Sequence, residues 1–223
     1  MLKHSLLTAT AMAFFASTAS AATLVAYDTE NSAGSIAGEE LGLGITAADL
    51  SRGAGLVYNA AGDDYNSRNW TQGGDEATAL TNQDFLEWGF TSTIAYDLTG
   101  MDIHYDRSGT GAMNISILAS INGGAFTSIF TDSSISASGE TNFLTLMATN
   151  VTSAVFRLAG WGSTNPLGTF DIETNEVGPN NGYGLAITGE ISAVPLPASM
   201  AMLLIGVGGL GALRRPSSWL RRG

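Results

Sequence analysis

Three sets of side chains carry what chemistry this chain offers. Asp63, Asp64 and Asn66 fall within four positions of one another, while Asp171, Glu173 and Asn175 alternate, so that an extended backbone would set all three on one face. Carboxylate and amide oxygens in such numbers suit a hard cation, and calcium needs neither cysteine nor histidine. Calcium is therefore the structural cofactor these ligands would accept, although nothing in the sequence demands one. The second run begins like an EF-hand loop, but Glu176 stands where that loop requires glycine and Gly182 where it closes on glutamate. Solvated turns have the same composition, which is the plainer account of both runs.

The third set is aromatic. Trp70 lies in a polar stretch with Tyr65, Asn69 and Gln72, and Trp161 stands between Gly160 and Gly162. A flat ring in a loop stacks on the apolar face of a sugar, while amides and carboxylates bond its hydroxyls. Trp70, Trp161, Tyr65 and Asn69 are thus the ligand-binding candidates, weighed against the usual burial of tryptophan. Trp88, inside an apolar run, is expected in the core.

Catalysis finds less support. Outside the N-terminal leader the only histidine is His104, in Met101-Asp102-Ile103-His104-Tyr105-Asp106. Strand alternation places Asp102, His104 and Asp106 on one face and Ile103 and Tyr105 on the other, which reads as a solvated strand face. No G-x-S-x-G nucleophile turn is present, and the absence of cysteine removes thiol nucleophiles and cysteine-type metal sites. No catalytic residue is assigned. The enzymatic alternative is a glycan-active hydrolase, which needs only two suitably spaced carboxylates.

The elements that would position these residues read as strands. Short apolar or alternating runs occur at 23–27, 56–59, 85–91, 101–105, 113–121, 126–130, 143–148, 151–158 and 183–191, separated by Gly, Asn, Asp and Ser. Asn122-Gly123 suits a two-residue turn with positive φ at both positions, closing a hairpin between 114–121 and 126–130. Residues 35–50 are expected to be irregular, because Gly38, Gly42 and Gly44 weaken a helix there. The pattern predicts an all-β domain, a jelly-roll-like β-sandwich of two packed sheets.

Charge bounds the partners. All twenty acidic residues, but only Arg52, Arg68, Arg107 and Arg157 of the nine basic ones, lie in residues 22–193, a formal charge of −16. Such a surface repels nucleic acid and anionic lipid.

Both ends read as addresses. Lys3 and His4 precede an apolar stretch over 6–15, and Ala19-Ser20-Ala21 supplies a small-residue cleavage site, so residues 1–21 are expected to be a secretory signal peptide handled by the Sec machinery. At the other end, Val194-Pro195-Leu196-Pro197-Ala198 leads into uncharged residues through 213, then Arg214-Arg215. Twenty uncharged residues are enough to cross a bilayer core, and the arginines would hold the tail in the cytoplasm. Gly206, Gly208 and Gly211 match G-x-G-x-x-G only by spacing, since neither a strand precedes them nor an acid follows.

The order of motif, apolar segment and basic tail resembles the PEP-CTERM class of C-terminal sorting signals in its VPLPA form, with Leu196 where the class name has glutamate. The resemblance covers residues 194 to about 215. It implies processing by an exosortase-like enzyme at the inner membrane and delivery of the domain to the cell surface, outer membrane or extracellular matrix, and it implies no activity. Asn69-Trp70, Ser108-Gly109-Thr110-Gly111 and the stretch 120–126 also resemble β-rich domains common in such proteins. The expected organisation is a signal peptide over 1–21, an extracytoplasmic domain over 22–193, and a sorting signal with transmembrane helix over 194–223. The expected role is a non-catalytic structural or polysaccharide-binding module.

Overall fold

The computed structural model describes residues 21–30, 33–60, 64–174 and 182–193. The chain divides into two compact units, Met1–Ile191 and Ser192–Gly223, and the fold described here is that of the first. Asp63, Asn175, Glu176, Val194 to Ala198, Arg214 and Arg215 lie outside the described residues, as do residues 1–20 of the expected signal peptide and the expected transmembrane segment. Among the described residues no helix is long and apolar enough to cross a membrane.

The all-β expectation is met. The strands are β1 (Ala22–Tyr27), β2 (Glu39–Glu40), β3 (Ile45–Arg52), β4 (Val57–Tyr58), β5 (Tyr65–Arg68), β6 (Thr71–Gln72), β7 (Phe85–Arg107), β8 (Asn114–Ile121), β9 (Thr127–Ser133), β10 (Glu140–Ser163), β11 (Thr169–Ile172) and β12 (Leu185–Ile191). The one helix among the described residues, α1 (Glu76–Asn82), precedes β7.

Instead of two separate sheets, all twelve strands join in one hydrogen-bonded sheet. The reason is that the runs at 85–91 and 101–105 belong to the single 23-residue β7, and those at 143–148 and 151–158 to the 24-residue β10. The Thr- and Ser-rich stretch between the first pair resembles a turn in polarity, but threonine is β-branched and continues a strand readily. β7 and β10 pair antiparallel along most of their length, from Tyr105↔Glu140 to Phe85↔Ala159, with register shifts near Thr145, Ala148 and Val151.

The two halves of β7 have different outer neighbours. Residues 86–92 pair with β3, while residues 96–103 pair with β12, which carries β1 and β2 beyond it. The wing of β1 and β12 lies over the wing of β3. Tyr27 of β1 donates its hydroxyl to the carbonyl of Ala48 in β3 (2.7 Å) and accepts from the Gly89 amide in β7 (3.3 Å). Between the wings sits a core built from every long strand, including Leu24, Tyr27, Leu50, Trp88, Met101, Ile103, Phe156 and Ile187. Trp88 is therefore interior, stacked on Phe156 at 5.9 Å. Burying one such large side chain is worth roughly 1.5–3 kcal/mol.

The region over 35–50 is a correction: it carries β2 and β3, because pairing of Ile45–Arg52 with β7 outweighs the local cost of its glycines. The helix α1 is too short to show a period in the sequence. It is set by Asp75, whose carboxylate accepts from the Thr78 amide at 2.9 Å, and by Gln83 in the left-handed region at φ 61°.

Candidate functional site

Two places bring functional side chains together. The first is a row of oxygen ligands across β5, β11 and β7. β11 lies between the other two, and the register sets Asp171 beside Asn66 on one side and Asp106 on the other. Directly opposed residues in antiparallel strands share a face. The alternate residues Tyr65, Phe170, Ile172 and Tyr105 are all fully buried on the opposite face of these strands, so the core holds the row rigidly.

The turn before β5 and the exit of β11 complete the cluster. Carboxylate oxygens of Asp64, Asp171 and Glu173 all lie within 4.8 Å of one another. Glu173 Oε2 is 3.0 Å from His104 Nε2, and His104 Nδ1 is 2.6 Å from the Thr141 hydroxyl. Gly139, at φ 79°, covers the group: a side-chain carbon there would touch His104, Asp106 and Glu173.

Crowding marks the electrostatics. Burial, then hydrogen bonding to Asp106 and the charges of Asp106, Glu173 and Asp64, push the Asp171 carboxyl up to about 9. Glu173 is raised as well, chiefly by burial and the charges of Asp106 and Asp64, with His104 opposing.

The sequence offered Asp63, Asp64 and Asn66 in one segment and Asp171 and Glu173 in another as oxygen ligands for calcium, with no means of telling whether the segments meet. The structure brings the two segments together, because β5 pairs with β11. Asp106 and His104 were legible as a polar strand face, but their approach to Glu173 depends on long-range pairing that no local spacing reveals.

The second place is a polar recess of about 330 Å³ between β6 and the end of α1, lined by Gly55, Asn69, Trp70, Thr71, Gln72, Asn82 and Asp84. Asn69 takes the left-handed conformation at φ 72° and donates through Nδ2 to the Gly55 carbonyl (2.6 Å). Thr71 donates its hydroxyl to Asp84 Oδ2 (2.5 Å), and Asn82 donates to that hydroxyl (3.2 Å). Burial raises the Asp84 carboxyl above the ordinary range, against the pull of its hydrogen bonds from Thr71 and Asn82. Among the described residues Asp84 is the one carboxyl group in the lining.

The aromatic candidates separate. Trp70 is 1% exposed, with Nε1 donating to the Ser67 carbonyl (2.8 Å) and its ring edge-on to Phe170 at 5.3 Å. Gly160 presses so close that a side-chain carbon there would come within 2.6 Å of the ring. Tyr65 is fully buried, its hydroxyl on the Leu50 carbonyl and its ring beneath the Arg52 guanidinium. Neither ring can stack on a sugar, which corrects the expectation for both: Tyr65 faces the core from β5, and Trp70, in the link between β5 and β6, turns its ring inward onto Phe170. Trp161 is half-buried and packs with Leu80 and Phe126 on the small cluster of Ala79, Phe85, Leu118 and Ala159. Beside Phe126, Arg157 lies over two rings, 4.5 Å from that of Phe85 and 4.2 Å from that of Phe126, and pairs with Glu87 at 2.7 Å. Trp161 is also the register partner of Thr71 in the recess, through the parallel pairing of β10 and β6. Asn69 is exposed. Thus Asn69 and Trp161 remain reachable by a ligand.

No family model matches the chain, and no curated protein matches it. Among solved structures it is similar to a point mutant of CBM29-2, a family 29 carbohydrate binding module, at 12% identity with a TM-score of 0.41, over 76% of this chain and 93% of that chain. It is similar to TmCBM61 in complex with beta-1,4-galactotriose at 8% identity and a TM-score of 0.34, over 59% and 75%. It is also similar to CBM32-1 from a family 31 glycoside hydrolase of Clostridium perfringens at 14% identity and a TM-score of 0.30, over 48% and 75%.

Proposed function

We propose that this chain is an exported, non-catalytic glycan-binding module, a jelly-roll-like sandwich in which the two wings of the sheet act as its layers. The observation that carries the proposal is the polar recess at Asn69, Thr71, Gln72, Asn82 and Asp84, with half-exposed Trp161 on the neighbouring strand. Amide and carboxylate groups at a concave site match the alternating donors and acceptors of sugar hydroxyls, and an indole edge supplies the apolar contact. A single acid among the described lining residues favours binding over hydrolysis, which uses a pair.

The sequence at the termini supports export by the Sec route and handling of Val194-Pro195-Leu196-Pro197-Ala198 by an exosortase-like enzyme, with the inner membrane as a transient anchor and the surface or matrix as destination. Retention on a panel of immobilised neutral polysaccharides tests the binding role. Asn69→Ala, Gln72→Ala and Trp161→Ala are each expected to weaken retention about 3- to 10-fold, as the loss of one sugar contact does. Release of soluble product that disappears when one acid is replaced would overturn the non-catalytic assignment, and no retention on any glycan would overturn the binding one.

A further inference from the structure

The acidic row poses a problem that its own hydrogen bonds do not solve. Asp171 is 9% exposed, and its Oδ1 has no hydrogen-bond donor. Its cross-strand neighbour Asp106 is another acid, and like charges directly opposite one another destabilise a sheet.

A cation would answer the whole group. Oxygens bound to one calcium at about 2.3–2.6 Å lie no more than about 5 Å apart, and those of Asp64, Asp171 and Glu173 are mutually within 4.8 Å. All three therefore fit around one ion, and the Asp171 carboxylate, whose Oδ1 lacks a partner, is one of its ligands. We propose that Asp64, Asp171 and Glu173 hold one divalent cation, and that the cation is calcium. Calcium is favoured because the three ligands are all oxygens, held in irregular geometry on separate segments. His104 is already engaged by Glu173 and Thr141, which leaves no free imidazole to favour zinc. The ion would fasten the turn before β5 to the C-terminal end of β11, independently of any glycan.

The test uses the full-length protein in detergent, stripped with EDTA and then titrated with calcium chloride. One ion per chain is expected by equilibrium dialysis, with the melting temperature rising about 5–10 °C at free calcium a hundredfold above its Kd. Asp171→Asn should abolish both responses. Glu173→Gln, at a half-exposed position, should do the same and serves if the first variant fails to fold. Glu190→Gln, at a half-exposed acid whose register partner is Asp97, nine residues along β7 from Asp106, should leave both responses intact. The proposal is overturned if the wild type neither binds a stoichiometric ion nor shifts, or if the shift persists in both site variants. An equal shift with magnesium would overturn the assignment to calcium.

Discussion

Asp84 and Asp171 are both buried acids, and their surroundings assign them different fates. Asp84 receives the Thr71 hydroxyl, whereas Asp171 faces other acids. Because burial raises the folded-state pKa of Asp84 above its unfolded value, the folded protein holds the proton more tightly. Its contribution to stability is complete below the ordinary carboxylate range and is lost as pH rises through the raised pKa. Asp84→Asn removes that loss. Urea unfolding of wild type and variant from about pH 4 to about pH 7 should show the variant gaining on the wild type as pH rises, whereas parallel curves would show that Asp84 does not titrate differently on folding. Residue types alone did suggest Asp64, Asn66, Asp171 and Glu173 as oxygen ligands. They misled at Tyr65, where a polar neighbourhood in sequence hides a strand residue that faces the core, and at Trp70, whose ring turns inward onto Phe170 from the link between β5 and β6.

Among the elements, the hairpin of β8 and β9 was the most legible. Asn122 and Gly123 take φ of 50° and 74°, as a two-residue turn of that type requires, and the strands pair as expected. Asn122 does more than turn the chain. Its Oδ1 accepts from the amides of Thr152 and Ser153 at 2.8 and 3.1 Å, and its Nδ2 donates to the Asn150 carbonyl at 3.1 Å, which ties the hairpin to β10 at a register shift. Asn122→Gly keeps the turn and loses the tie, at a cost of about 1–2 kcal/mol; Asn122→Ala loses both and should cost more, as read by urea unfolding. Equal losses for the two variants would mean that the tie carries all of the effect. By contrast, the continuity of β7 and β10 was illegible, because short runs separated by threonine, serine and glycine look the same whether a strand bends or ends. β5 and β11 are four residues each, below the length at which alternation can be counted, and their pairing creates the acidic row.

At the scale of the molecule, the terminal segments carry a prediction of their own. The expected fate of the termini is decided by the intact mass of the protein from its native host. A surface or released species beginning at Ala22 and lacking residues 199–223 is expected; a mature species in the inner membrane that retains those residues would contradict exosortase processing. The strongly negative domain should also show no retention on DNA at moderate salt.

The long pairing of β7 with β10 has a consequence for how the protein is made. Its register joins Phe85 to Ala159, so the central ladder cannot close until most of the domain has emerged, and closing such distant pairs first costs loop entropy. A chain of this topology folds slowly compared with a helical protein of its size. If the chain is exported by the route proposed above and threads a translocation pore unfolded, that slowness is an asset: the same two strands that join the wings of the sheet would delay its completion until translocation is over.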